Sequence, residues 1–139
     1  MIHEEICTYE VCKLAKKKGF DEECRDFYCD DKLQKRITRT SCNRQVTSFD
    51  YCSNSMLEDY DSPKEYYNIA APTQSLLQRW LREEKKIDIA VFPNRSKIYS
   101  YVVYNIVNVD NRIEYTYTGY ATYELALEDA LTYTLKNLI

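Results

Sequence analysis

Six cysteines and a single histidine are the residues of this 139-residue chain with the most obvious capacity for chemistry. Cys7 and Cys12 have four residues between them, as do Cys24 and Cys29. Cysteine pairs separated by two to four residues are the raw material of zinc sites, because two thiolates on one short turn can reach the same tetrahedral ion. A zinc centre at Cys7, Cys12, Cys24 and Cys29 is therefore an alternative to weigh. Against it, Cys12 falls within a helix candidate, where five positions turn the chain by about 140°. The two thiolates then converge only if Cys7 precedes the helix. Cys29 falls in a strand candidate, and a buried thiol is among the commonest interior groups. The favoured reading is plain thiols, with a structural disulfide the lesser alternative. Cys42 and Cys52, in a polar tract, are expected to be reactive rather than buried.

Other routes to catalysis lack parts. His3 lies two residues from the first position, and no Ser/His/Asp or Cys/His set can be assembled without it. Asp59 and Asp61 form a carboxylate pair, but a polar loop does not shift ionisation towards neutral pH as acid–base work requires. The same acidic tract lacks the spacing and the turn glycine of a helix–loop–helix calcium site. Gly19 and Gly119 are the only glycines and stand a hundred residues apart, so no glycine-rich phosphate cradle is available. The expectation is a non-enzymatic protein with no catalytic residues and no cofactor.

Periodicity supplies the elements that would position these groups. Residues 8–18 read as a helix: Thr8 is an N-cap, Val11, Leu14 and Ala15 share a face, Lys16, Lys17 and Lys18 suit the negative end of the helix dipole, and Gly19 is a left-handed C-cap. Residues 26–29 and 33–37, either side of Asp30 and Asp31, read as a hairpin. From 38 to 72 the pattern fades into polar residues and an acidic cluster around Pro63. A structureless loop of that length is uncommon inside a compact domain, so a short element or mobility is expected there. Thr73 then caps a helix whose stripe is Leu76, Leu77, Trp80 and Leu81. Strand candidates follow at 87–92, 98–107 and 113–118, with turns at 94–97 and 109–112, and Thr122 caps a last helix running to about Leu138.

This order predicts an α+β fold in one domain, 1–139. It has an N-terminal helix and β-hairpin (1–37), a polar insertion or loop (38–72), and an α-β-β-β-α half (73–139) whose antiparallel three-stranded sheet carries two helices. Fourteen tyrosines suit half-buried sheet surfaces. The first residues show no basic stretch followed by an apolar run, and no segment approaches eighteen apolar residues. A cytoplasmic protein without membrane association is expected, with its cysteines kept reduced.

Three segments resemble a family of small proteins encoded by gut Bacteroidales and by their phages or prophages. They are 14–24, where Gly19-Phe20-Asp21-Glu22 is followed closely by a cysteine; Ala71-Pro72-Thr73-Gln74 running into a helix with Trp80; and Tyr120 with Thr122-Tyr123-Glu124-Leu125-Ala126. The stretch from about 39 to 69 departs from that pattern and looks like an insertion. The resemblance implies a compact α+β fold and a mobile-element origin. It implies no activity, so it assigns no site residues.

Two binding roles remain. The α-β-β-β-α order matches double-stranded RNA-binding domains, which hold phosphates with lysines at the start of the last helix. Here that position carries Tyr123, Glu124, Glu128 and Asp129, and the chain's net charge is −3, so nucleic acid is an unfavoured alternative. The basic runs Lys32, Lys35, Arg36, Arg39, Arg44 and Arg79, Arg82, Lys85, Lys86 are interleaved with acids and read as solvated faces. On the central strand, Tyr99, Tyr101 and Val103 point one way and Val102, Tyr104 and Ile106 the other. Two helices cover only one face. The face of Val102, Tyr104 and Ile106 is the candidate surface for an unknown protein partner or a homodimer.

Overall fold

The computed structural model describes residues 2–34, 40–41, 44–45, 51–58, 68–94, 97–105 and 115–139. The fold is α+β, with helices and two antiparallel three-stranded sheets. The chain divides into two compact units, Ile6–Thr73 and a second made of Met1–Glu5 with Gln74–Ile139.

In the first unit, helix α1 spans Tyr9–Lys17. Thr8 caps it, its hydroxyl accepting from the Val11 N–H at 3.4 Å. The helix ends in a Schellman motif: Phe20 N–H donates to Ala15 C=O at 3.0 Å and Gly19 N–H to Lys16 C=O at 3.1 Å, with Gly19 at φ +93°. Strands β1 (Asp26–Cys29) and β2 (Lys32–Gln34) are joined by two residues with positive φ, Asp30 at 47° and Asp31 at 69°. That is the type I′ geometry whose twist matches a hairpin. Strands β3 (Thr40–Ser41) and β4 (Arg44–Gln45) form a small antiparallel ladder. Helix α2 (Asn54–Glu58) and strand β5 (Asn68–Ala71) complete the unit, and the main sheet has the order β2-β1-β5.

The segment expected to be a polar insertion is thus a contributor to the core. All four residues of β5 are buried, Ile69 and Ala70 completely, and Cys52 and Leu57 are buried beside them. A four-residue strand with both faces covered shows no alternation, so period-two reasoning passes over it. Five residues of helix cannot stand alone. Ser53 Oγ accepts from Met56 N–H at 3.4 Å, Asp21 Oδ1 accepts from Ser55 N–H at 2.7 Å, and the buried Asn54 joins three segments. Its Nδ2 donates to Phe20 C=O at 2.7 Å and its Oδ1 accepts from Ala70 N–H at 2.9 Å. Residues 35–37 of the expected hairpin lie outside the described residues. The ends of the unit meet at an antiparallel Ile6–Thr73 bridge, where Cys7 N–H donates to Pro72 C=O at 3.0 Å.

The second unit has the expected order: helix α3 (Gln74–Glu84), strands β6 (Ile87–Pro93), β7 (Tyr99–Asn105) and β8 (Tyr115–Tyr120), and helix α4 (Tyr123–Asn137). The sheet order is β6-β7-β8, antiparallel throughout. Leu77, Trp80 and Leu81 of α3 are buried with Ala126, Leu127, Ala130, Leu131 and Leu135 of α4. Gln74, buried at the start of α3, donates to Glu124 C=O at 3.0 Å and to Glu128 Oε2 at 2.7 Å, while Gln78 Nε2 reaches Ile89 C=O at 2.7 Å. Thr122 caps α4 through Leu125 N–H at 3.1 Å. Gly119, at φ +110°, is the extra residue of a bulge, since Tyr99 faces Tyr120 while Ser100 faces Thr118. Residues 2–5 belong here through Gln74 N–H on Glu5 C=O (2.9 Å) and Ser75 Oγ on Glu4 Oε1 (2.9 Å).

Two substitutions test this account in urea unfolding. Asn54→Ala leaves a buried carbonyl and a buried N–H without their partner and is expected to cost about 2–4 kcal/mol. Gly19→Ala meets no atom within 4 Å, so its cost, about 1 kcal/mol, comes from the positive φ alone.

Candidate functional site

Alternation along β7 sorts the second sheet into two unlike faces. Tyr101 and Val103 are 1% and 0% exposed, and the residues on their side engage α4. The Tyr99 ring meets Tyr123 edge-on at 6.2 Å, Tyr101 lies 5.8 Å from Tyr120, and the Tyr120 hydroxyl donates to Asp129. Desolvation, then the Asp129 carboxylate, push the Tyr120 phenol well above the usual tyrosine range, so it remains a donor.

Ser100, Val102 and Tyr104 point to the opposite face, together with Ala90 and Phe92 of β6, which pair with Val102 and Ser100. Ser100 Oγ donates to Thr118 Oγ1 at 2.9 Å across this face. Among the expected surface residues, Val102 is buried by its neighbours, Tyr104 is half-buried, and Ile106 lies outside the described residues. The large apolar groups that reach solvent here are Phe92, 41% exposed, and Ile98, 37% exposed. They are diagonal neighbours, since Phe92 faces Ser100 and Asn94 N–H bonds Ile98 C=O at 2.8 Å. The alternation of the central strand alone does not reveal them. Their signal is the same alternation in β6, carried through Ala90 and Phe92 to the turn.

The cysteines sit in the first unit as core groups. Cys7, Cys12, Cys24 and Cys52 are buried thiols, and Cys52, expected to be reactive, is 0% exposed. Cys7 does precede α1, but Cys12 Sγ donates to the Cys7 carbonyl at 3.6 Å instead of sharing an ion with its thiolate. Cys24 Sγ donates to Glu22 C=O at 3.5 Å and Cys52 Sγ to Asp26 C=O at 3.6 Å. Cys29 is disulfide-bonded, so it offers no thiolate, and Cys42 lies outside the described residues. The set Cys7, Cys12, Cys24 and Cys29 is not assembled: among the described residues no three or more Cys, His, Asp or Glu are placed to hold a metal ion. Burial, then the neighbouring Cys52, Cys12 and two acidic side chains, drive the Cys24 thiol far upward. Burial, then Asp26, push Cys52 up to about 12. Thiols so shifted are poor nucleophiles at neutral pH while they stay buried.

The position that holds phosphate in double-stranded RNA-binding domains is acidic and engaged, with Glu128 accepting from Gln74 and Asp129 from Tyr120. The nearby cations are occupied as well. Arg79 pairs with Glu83 at 2.8 Å, Arg82 with Asp88 at 3.8 Å, Lys86 donates to Glu83 C=O, and Lys85 lies over Trp80 at 5.3 Å. His3 is exposed, and Asp59 and Asp61 lie outside the described residues. No helix among the described residues is long and apolar enough to cross a membrane. No protein-family model, curated protein or solved structure matches this chain.

The shifted thiols make a pH prediction. The folded pKa values of Cys24 and Cys52 exceed the unfolded value of 9.0, so below pH 9 both states hold the proton and stability is unaffected. Above pH 9 the unfolded chain loses protons that the folded chain keeps, and stability falls until the folded thiols ionise, Cys52 at about 12 and Cys24 higher still. Urea midpoints are expected to drop steadily from about pH 9 to about pH 11, by at most about 1.4 kcal/mol per pH unit for each thiol. Cys52→Ala should make the decline shallower.

Proposed function

We propose that this chain is a non-enzymatic accessory protein of phage or prophage origin, working in the cytoplasm through protein contacts at the face of β6-β7-β8 that carries Phe92 and Val102. The observation that carries this reading is the exposure of Phe92 and Ile98, two large apolar side chains that are diagonal neighbours at the turn end of the sheet face that also carries Val102. Apolar side chains gathered at the middle of a surface with hydroxyls around them are the usual composition of a contact patch. Thr118 and the half-buried Tyr104 supply polar groups on the same face. The four buried thiols of the first unit agree with a reducing compartment. There the bond at Cys29 would be open, because cytosolic thiol systems keep disulfides reduced.

The test compares the intact chain with Phe92→Glu/Ile98→Glu. Both positions are surface sites, so the double variant should keep the wild-type circular dichroism and unfolding midpoint. Light scattering on the wild-type chain shows whether the patch holds a second copy. Capture from extracts of the native host shows whether it holds another protein. The double variant is expected to lose whichever association the wild type makes. An unchanged association in the variant would overturn the reading. So would tight binding of double-stranded RNA that weakens steeply with salt. Alkylation of thiols in intact cells checks the compartment, with Cys29 expected to react as a thiol.

A further inference from the structure

Cys24 and Cys52 are far apart in sequence and directly opposed in space. They form an antiparallel bridge in which each residue's N–H donates to the other's C=O, both at 2.7 Å. A pair bonded this way holds its Cα atoms about 5.5 Å apart with both side chains on one face. Disulfides have Cα separations of about 5.5–6 Å, so the backbone already stands at bridging distance. Both residues are thiols and both are buried, at 3% and 0% exposure. Each sulfur is hydrogen-bonded, Cys24 Sγ to Glu22 C=O and Cys52 Sγ to Asp26 C=O, contacts that a change of rotamer releases.

We propose that Cys24 and Cys52 are a reversible disulfide site, oxidised by low-molecular-weight disulfides such as oxidised glutathione. One cysteine, as thiolate, attacks the small disulfide, forming a mixed disulfide and releasing one small thiolate. The second cysteine gives up its proton and attacks the protein sulfur of that mixed disulfide, releasing the second small thiol. The protein loses two protons and two electrons, and one small disulfide becomes two small thiols. The suppressed ionisation of both thiols makes exchange slow in the closed structure, so it proceeds when the five-residue α2 opens locally. A hydrogen-bonded pair leaves its Cβ atoms about 1.5 Å further apart than a relaxed disulfide prefers, so the bond is strained and readily reduced again. Its location sets the consequence. Cys24 lies between the end of α1 and β1, and Cys52 lies two residues before Asn54, so the bond would staple covalently the segments that Asn54 holds by hydrogen bonds.

The experiment equilibrates the intact chain in glutathione buffers from fully reduced to fully oxidised, quenches with acid, blocks remaining thiols, and maps peptides without reduction. The expected result is a Cys24 peptide joined to a Cys52 peptide, two hydrogens lighter than the separate pair, which disappears when reduced glutathione is restored. The oxidised form should unfold about 5 °C higher, because the 27 residues between the cysteines form a closed loop in the unfolded chain. Cys52→Ser, and Cys24→Ala should the first variant fail to fold, should lose the linked peptide and the shift together. Cys24 and Cys52 both remaining alkylatable in the oxidised buffer would overturn the proposal. So would a linkage of either to Cys12 or Cys29, or capture of glutathione without an internal bond.

Discussion

The carboxamide of Asn54 is the interaction on which the first unit depends. One side chain closes the carbonyl at the exit of α1 and the N–H of the buried strand β5, and its own backbone begins α2. Phe20 and Ala70 are more than a dozen residues from Asn54 in either direction, so this joint is made only as the unit folds. Neither backbone group has access to water, and each would carry the full desolvation cost of a buried unpaired group if the carboxamide were absent. Asparagine suits the position because its short carboxamide presents a neutral donor and a neutral acceptor on one rigid plane. The helix end, the short helix and the edge of the sheet therefore hold their places together.

Gln74 plays a comparable part in the second unit. It links the start of α3 to the start of α4 by two hydrogen bonds, and the two helices then share one face of the sheet. That sharing creates the asymmetry between the sheet's faces. The tyrosines of the helix side are consumed by α4, with Tyr120 on Asp129 and Tyr99 against Tyr123. The exposed apolar groups are left at the turn end of the other side, where β6 and β7 approach Asn94.

The distribution of reactive groups follows the same division. The described thiols of the first unit are withdrawn from solvent, and those of Cys12, Cys24 and Cys52 donate to carbonyls, which is how a core uses cysteine as a small apolar residue. The acidic start of α4 is committed to internal hydrogen bonds. Every buried polar side-chain atom among the described residues has a partner. Phe92 and Ile98 are the large apolar side chains that remain outward-facing on the Val102 side of the second sheet.

The elements with strong local signals are legible in the amino-acid sequence itself. Thr8 with Gly19, the stripe of Leu77, Trp80 and Leu81, the three strands and the Thr122 cap all follow from rules that act within a few residues, and the chain folds there as those rules require. Only tertiary structure decides the rest. Strand β5 is four residues with no alternation, and it is a strand because β1 and Asn54 supply its hydrogen bonds. The pairing of Cys24 with Cys52, rather than with the nearer Cys29, is set by the return of the chain across the unit, to which sequence spacing is blind. Alternation puts Val102 on the open face, yet it is buried there, while Phe92 and Ile98 are exposed. Alternation assigns a side chain to a face, but only the neighbours packed around it determine whether that side chain meets water.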